Sequence, residues 1–269
     1  MPRFSLAHLT VLGCTPAEAA FIAAETGYDF VSFRTIALGL AGEPAYPLHE
    51  DRAMLRQTRA ALASTGLGLL DIEVARISPD REVDDYRPAL ETAAELGARH
   101  VLAAGYGKEA DRVADQFTRL CELARPLGLT VDLEFMPFSD VRNLEAAHAL
   151  VKASGATNAG ILIDTLHFDR SSSSLAQLEG MAPDLFHYAQ LNDAPHLEAP
   201  SVEQMLYTAR QERLYLGEGE IAVRDIVARL PQVPLSLEIA HAKRQQGLGY
   251  KEFARQCLVH AKRYFGAEG

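Results

Sequence analysis

Short apolar runs, each ending in polar or glycine-rich residues and followed by a stretch of helical periodicity, recur from one end of this 269-residue chain to the other. Eight of them read as strands, at 4–9, 28–33, 68–74, 100–104, 130–135, 160–165, 185–191 and 235–239. The intervening stretches carry helix signals. Thr15-Pro16-Ala17-Glu18, for example, sets a capping residue ahead of a proline at the first helical position. Strands alternating with helices demand a mainly parallel sheet, and eight units in one domain favour closure over an open doubly wound sheet. The length is close to the ~250 residues typical of such barrels. The predicted fold class is therefore α/β, a (β/α)8 TIM barrel forming a single domain over residues 1–269. The Gly-x-Gly-x-x-Gly turn of an open dinucleotide-binding sheet is absent after the first strand; Gly217-Glu218-Gly219 comes late, in a loop.

Composition narrows the partners. A hydrophobic share of 48% and a charged share of 23% are those of a soluble globular protein, and no run of ~18 apolar residues is available to span a membrane. The formal net charge of −10 repels a phosphate backbone, which excludes nucleic acid but not a small anion gripped by a local basic pocket. Cys14, Cys121 and Cys257 are dispersed and odd in number, which argues against a disulfide framework or thiolate metal cluster and fits a cytoplasmic location. The longest irregular connections, 37–48 and 194–220, follow strands 2 and 7. In this architecture they lie above the barrel mouth and are candidate substrate lids.

Four late strands end in a side chain able to hold a metal: Glu134, Asp164, Gln190 and Glu238, each with apolar neighbours on both sides. The two-residue period of a strand turns those neighbours toward the helices and the polar residue toward the barrel interior. Buried, unpaired carboxylates are heavily penalised, so acids converging on one mouth require a cation or an arginine. The four positions are spaced 30, 26 and 48 residues apart, the first two about one βα unit and the last containing the long loop. Oxygen donors from four consecutive strands suit one divalent metal ion of the hard type, Mg2+ or Mn2+, with Co2+ or Zn2+ as alternatives. A single acid at a strand end is more simply a helix cap or an ion-pair partner; four in succession shift the balance. Asp132 shares the parity of Glu134, and Asp71 that of Glu73, so not every inward acid is a ligand.

Leu133-Glu134-Phe135-Met136-Pro137, Ile163-Asp164-Thr165-Leu166-His167-Phe168 with Arg170, Tyr188 to Pro195, and Leu216-Gly217-Glu218-Gly219-Glu220 together resemble the sugar phosphate isomerase/epimerase family of xylose-isomerase-like barrels. The resemblance runs from the first strand to the last and is densest between Glu134 and Glu238. It implies a metal on Glu134, Asp164, Gln190 and Glu238, the two glutamates serving also as the acid/base pair of the epimerase branch. It further implies a homo-oligomer, since related barrels often dimerise or tetramerise. One departure stands out: the third ligand is usually histidine in the better-known sugar epimerases and dehydratases, and Gln190 offers a neutral carbonyl oxygen that weakens any preference for zinc. The DNA-repair endonuclease branch needs further histidine and carboxylate ligands, which this chain lacks at its strand ends.

The expected reaction is proton abstraction next to a carbonyl of a sugar or sugar-like polyol, through an enediolate, giving epimerisation or isomerisation. The same enolate bearing a β-hydroxyl expels water, so a dehydratase acting on a keto-polyol or keto acid such as 3-dehydroshikimate is the alternative. A barrel that binds sugar without turnover is the second alternative, kept open by Gln190. Catalytic roles are assigned to Glu134, Glu238 and His167, the last either a proton shuttle or a partner holding Asp164. His8 on the floor, Arg34, Glu73 and Arg213 are assigned to substrate binding, the arginines as grips for a carboxylate or phosphate. Arg76 is read as a solvated surface residue, Glu218 as a loop-shaping one, and His187 as lying behind the barrel wall.

Overall fold

The protein is described from a computed structural model covering residues 2–40, 42–107 and 109–266. These residues form eight strands: β1 (Phe4–Leu6), β2 (Phe30–Arg34), β3 (Gly68–Ile77), β4 (His100–Gly105), β5 (Thr130–Glu134), β6 (Ala159–Asp164), β7 (Ala189–Leu191) and β8 (Leu235–Leu237). They pair in chain order, all parallel, and β8 seals against β1 to close the barrel. Around it run α1 (Pro16–Thr26), α2 (Arg52–Thr65), α3 (Arg87–Glu95), α4 (Ala110–Ala124), α5 (Leu144–Ser154), α6 (Thr165–Arg170), α7 (Leu175–Glu179), α8 (Val202–Gln211), α9 (Val223–Val227), α10 (Ala242–Leu248) and α11 (Tyr250–Tyr264). The expected βα alternation and closure are both present. No helix among the described residues is long and apolar enough to cross a membrane. Cys14, Cys121 and Cys257 are free and buried.

Local chemistry sets the helix ends. Thr15 and Glu18 form a reciprocal capping box at the start of α1, Pro16 occupies its first turn, and Gly27 ends it at φ 90°. Outside the barrel, Phe33, Phe117, Phe135 and Phe253 are fully buried between strands and helices. Inside, Phe30, Leu70, Leu102, Leu162 and Tyr188 make a separate apolar plug. The period of two therefore stacks the interior in layers. Along β6 these are Gly160, Leu162 and Asp164; along β5, Asp132 lies one layer below Glu134.

Several strands are shorter than their apolar runs. The run at 4–9 stops at Leu6 because His8–Val11 turns into a 3-10 helix. The run at 185–191 yields strand only from Ala189, since Pro183–Leu185 forms a 3-10 turn. Glu238 lies just past β8, yet its N–H still donates to Leu191 O at 3.0 Å, so it keeps the strand's alternation and points inward.

Candidate active site

A cavity of about 500 Å3 opens at the C-terminal ends of the strands. Its polar surface is supplied by Arg34, Glu73, Glu134, His167, Arg213 and Glu238, and its wall by Leu102, Tyr106, Met136 and Phe138. Both predicted lid loops reach it, the first through Leu38, Leu40, Glu43 and Pro44, the second through Ala209, Arg210 and Gln211. Ala41, within the first, lies outside the described residues. Asp164 and Gln190 are buried (1% exposed each) and do not line the cavity.

Sheet register explains why Asp164, Gln190 and Glu238 lie together. Asp164 pairs with Gln190 across β6 and β7, and Gln190 pairs with Ser236 across β7 and β8, two residues before Glu238. Gln190 Nε2 donates to Glu238 Oε1 at 3.1 Å. Gln190 Oε1 is buried without a hydrogen-bond partner. Asp164 is the N-cap of α6: its Oδ1 accepts the N–H groups of Leu166 (2.8 Å) and His167 (3.1 Å). Its Oδ2 accepts from Asn192 Nδ2 at 2.9 Å and from Arg213 Nη1 at 2.7 Å. The same Arg213 nitrogen lies 2.7 Å from Glu238 Oε2. The plainer roles of a strand-end acid, helix cap and ion-pair partner, are thus both realised at Asp164.

Arg213 reaches this depth because residues 212–214 are threaded between the ends of β7 and β8. Asp193 and Leu214 exchange backbone hydrogen bonds of 3.1 and 2.7 Å, and the Arg213 N–H donates to Ala240 O at 2.9 Å. Burial works against the charge on Arg213, but Asp164 and Glu238 outweigh it and raise the pKa of the guanidinium. At the opposite side of the mouth Arg34 pairs with Glu73 (2.7 Å) and with Glu43 of the first lid loop (3.3 Å).

Two guanidinium groups therefore face four carboxylates from the strand ends, and Glu134 is the one left over. The His167 ring stands beside it, with Nε2 3.8 Å from Oε1. Burial, then Glu238 and Asp164, push the Glu134 pKa well above the usual carboxylate range. Burial raises Glu238 to about 8 although Arg213 opposes it. His167 is held neutral, its pKa lowered to about 4 by burial, and its Nδ1 has no partner. Glu134, Asp164 and His167 each present a ligand atom within 4.8 Å of the other two. These residues can hold a cation and can also store and release protons.

The remaining predicted binders separate. Arg34, Glu73 and Arg213 line the cavity, whereas His8 is fully buried and does not. Its Nε2 donates to Cys14 O (2.9 Å) and its Nδ1 accepts the Arg34 N–H (2.8 Å), so this ring ties the end of β2 to the turn after β1. Arg76 packs over the Tyr106 ring at 4.9 Å, outside this cavity. Glu218 pairs with Arg244 at 2.7 Å and shapes its loop.

Two neighbouring residues were not singled out from the sequence. Asn192 secures Asp164. Asp193 accepts the N–H groups of Ala194, Gly217, Gly219 and Ile221 at 2.9–3.1 Å, folding the Leu216–Glu220 motif against the mouth. A side chain at Gly219 would collide with Asp193 Oδ1. The signal was present as two polar residues directly after the strand that carries Gln190, followed later by Gly-x-Gly.

The family model described as xylose isomerase-like TIM barrel matches residues 21–256. Among curated proteins, an inosose isomerase of Bacillus subtilis (strain 168) is 24% identical over 194 residues, covering 67% of this chain and 66% of the relative. The chain spans about half to two thirds of the length of the curated relatives it matches. Among solved structures, an IOLI protein with a binding zinc atom superposes with a TM-score of 0.82 at 17% identity, over 98% of both chains. The probable 3-DHS dehydratase AsbF of Bacillus anthracis superposes with a TM-score of 0.72 at 16% identity, covering 97% of this chain and 99% of the other.

Proposed function

The chain belongs to the xylose isomerase-like TIM barrel family, and we propose that within it this protein is an isomerase or epimerase of a keto-polyol, assisted by one divalent metal ion on Glu134, Asp164, Gln190 and Glu238. The observation that carries the reading is a pair of strand-end groups, one an acceptor without a donor and the other a carboxyl without an ion-paired guanidinium. Gln190 Oε1 is buried without a donor, and Glu134 is a buried carboxyl with no guanidinium. The donor set is three carboxylates and an amide oxygen, which fits a hard divalent cation; the zinc of the IOLI structure is compatible with the same scaffold. Such an ion supplies positive charge that stabilises negative charge developing on the substrate oxygens.

The protein's own groups handle the proton. Glu134 and Glu238 are the two cavity-lining carboxyls whose environments raise their proton affinity, as a general acid/base pair requires. One removes the proton next to the substrate carbonyl and the other returns it. His167, neutral and 3.8 Å from Glu134, relays the proton onward. Arg213 and Asn192 hold Asp164 in place, while Arg34 and Glu73 form a polar edge for substrate hydroxyls. The wall of Leu102, Met136 and Phe138 keeps bulk water from the reacting carbon.

Proton NMR in D2O tests the reading. Metal-loaded protein incubated with inososes and ketoses should exchange the proton next to the carbonyl for deuterium without losing water. An unsaturated product would reassign the chain to the lyases, and polyol binding with no exchange across the panel would remove the enzymatic reading altogether.

A further inference from the structure

At the opposite end of the barrel, an inward acid that the active site does not use meets two histidines. Asp132 is fully buried, with Oδ1 2.6 Å from His187 Nδ1 and Oδ2 2.6 Å from the Thr130 hydroxyl. His100, the first residue of β4, places Nδ1 2.7 Å from that hydroxyl and 3.7 Å from Asp132 Oδ2. The two imidazoles lie nearly parallel, 13° apart, with ring centres separated by 5.7 Å. One ligand atom from each of His100, Asp132 and His187 falls within 4.8 Å of the other two.

We propose that His100, Asp132 and His187 form a second divalent metal site, selective for zinc or another imidazole-preferring ion, at the N-terminal face of the barrel. Two imidazoles and one carboxylate are a donor set that zinc accepts, leaving a fourth position for water. Metal–ligand bonds of about 2.0–2.2 Å set tetrahedral ligand atoms roughly 3.3 Å apart, and the three ligand atoms already gather within 4.8 Å of one another. Both histidines keep part of their surface open, 12% and 23% of the side chain, so an ion can enter from solvent.

The barrel's inner layer is shaped around this group. Gly160 occupies the corresponding level of β6, and any side chain there would collide with Asp132 Oδ1 and with His187 Nδ1. On the other flank the Tyr188 ring stacks on His100 at 5.1 Å and fixes its plane. Glycine, aromatic support and the Thr130 hydroxyl together orient ligands drawn from β4, β5 and the turn before β7, so a bound ion clamps two strands to the approach of a third. Its softer donors distinguish it from the oxygen-rich mouth.

Zinc content of the full-length chain tests the proposal. Metal-free protein is equilibrated with zinc sulfate, desalted and analysed, and its cobalt(II) absorption spectrum is recorded. His187→Ala and His100→Ala should each retain one zinc fewer per chain than the unmodified protein and show a smaller zinc-induced rise in melting temperature. His187→Asn, which preserves a hydrogen bond to Asp132 but is a poor ligand, should behave as His187→Ala does. Glu134→Gln reports on the mouth alone, and the difference made by the histidine variants should persist in that background. The proposal is overturned if the histidine variants retain as much zinc as the unmodified chain.

Discussion

Gln190 turns its amide N–H onto Glu238, 3.1 Å from Nε2 to Oε1, and so leaves its own carbonyl oxygen buried without a donor. Replacing Gln190 by leucine removes the free oxygen, and the affinity for Mn2+ should fall at least tenfold by titration calorimetry. Gln190→His should instead shift the ratio of zinc to manganese affinity toward zinc. Unaltered manganese affinity in Gln190→Leu would remove this residue from the ligand set.

Arg213 is the counter-charge for Asp164 and Glu238. Arg213→Met strands two buried carboxylates, and urea unfolding in EDTA should show a loss of about 3–5 kcal/mol. Saturating Mn2+ should restore much of that loss, because the ion binds the folded state and supplies the missing charge. No recovery with metal would mean that the guanidinium does something a point charge cannot.

Asp193 gathers four backbone N–H groups of the segment after β7. Asp193→Ala leaves them unmet and should cost roughly 2–3 kcal/mol. Hydrogen exchange at Gly217, Gly219 and Ile221 should accelerate while the amides of β4 and β5 stay protected. Uniform acceleration across the barrel would show that the loop is not a separate unit.

Much of this architecture is legible in the chain because it rests on local rules. Alternation placed Glu134, Asp164, Gln190 and Glu238 inward, and the capping residue Thr15 ahead of Pro16 marked α1 without reference to anything distant. What the sequence hides is non-local. Arg213 reads as a loop residue suited to an anion, but its place on Asp164 and Glu238 depends on residues 212–214 threading between β7 and β8. His8 reads as a floor residue by its position after β1, whereas a 3-10 turn takes its ring under Arg34. His187, placed behind the wall by parity, meets Asp132 instead because the turn at Pro183–Leu185 breaks the strand before Ala189.

His8 also carries a pH signature. Burial lowers its pKa from 6.5 to about 4. Below pH 6.5 the unfolded chain takes up a proton that the folded chain refuses until about pH 4, so this group's contribution makes stability fall as pH drops through that window. The slope is at most about 1.4 kcal/mol per pH unit. His8→Asn, whose amide oxygen can still accept the Arg34 N–H, should lose less stability than the unmodified chain between those limits in urea titrations. Parallel curves for the two proteins would contradict a buried neutral imidazole.

The account turns on a single hard cation shared by four strand ends, and electron paramagnetic resonance of Mn2+ reads it directly. One tightly bound Mn2+ per chain is expected, with its bound spectrum lost in Asp164→Asn and weakened in Glu134→Gln, yet unchanged in His187→Ala. Manganese bound equally well by Asp164→Asn and Glu134→Gln, or not bound at all by the unmodified protein, would contradict it.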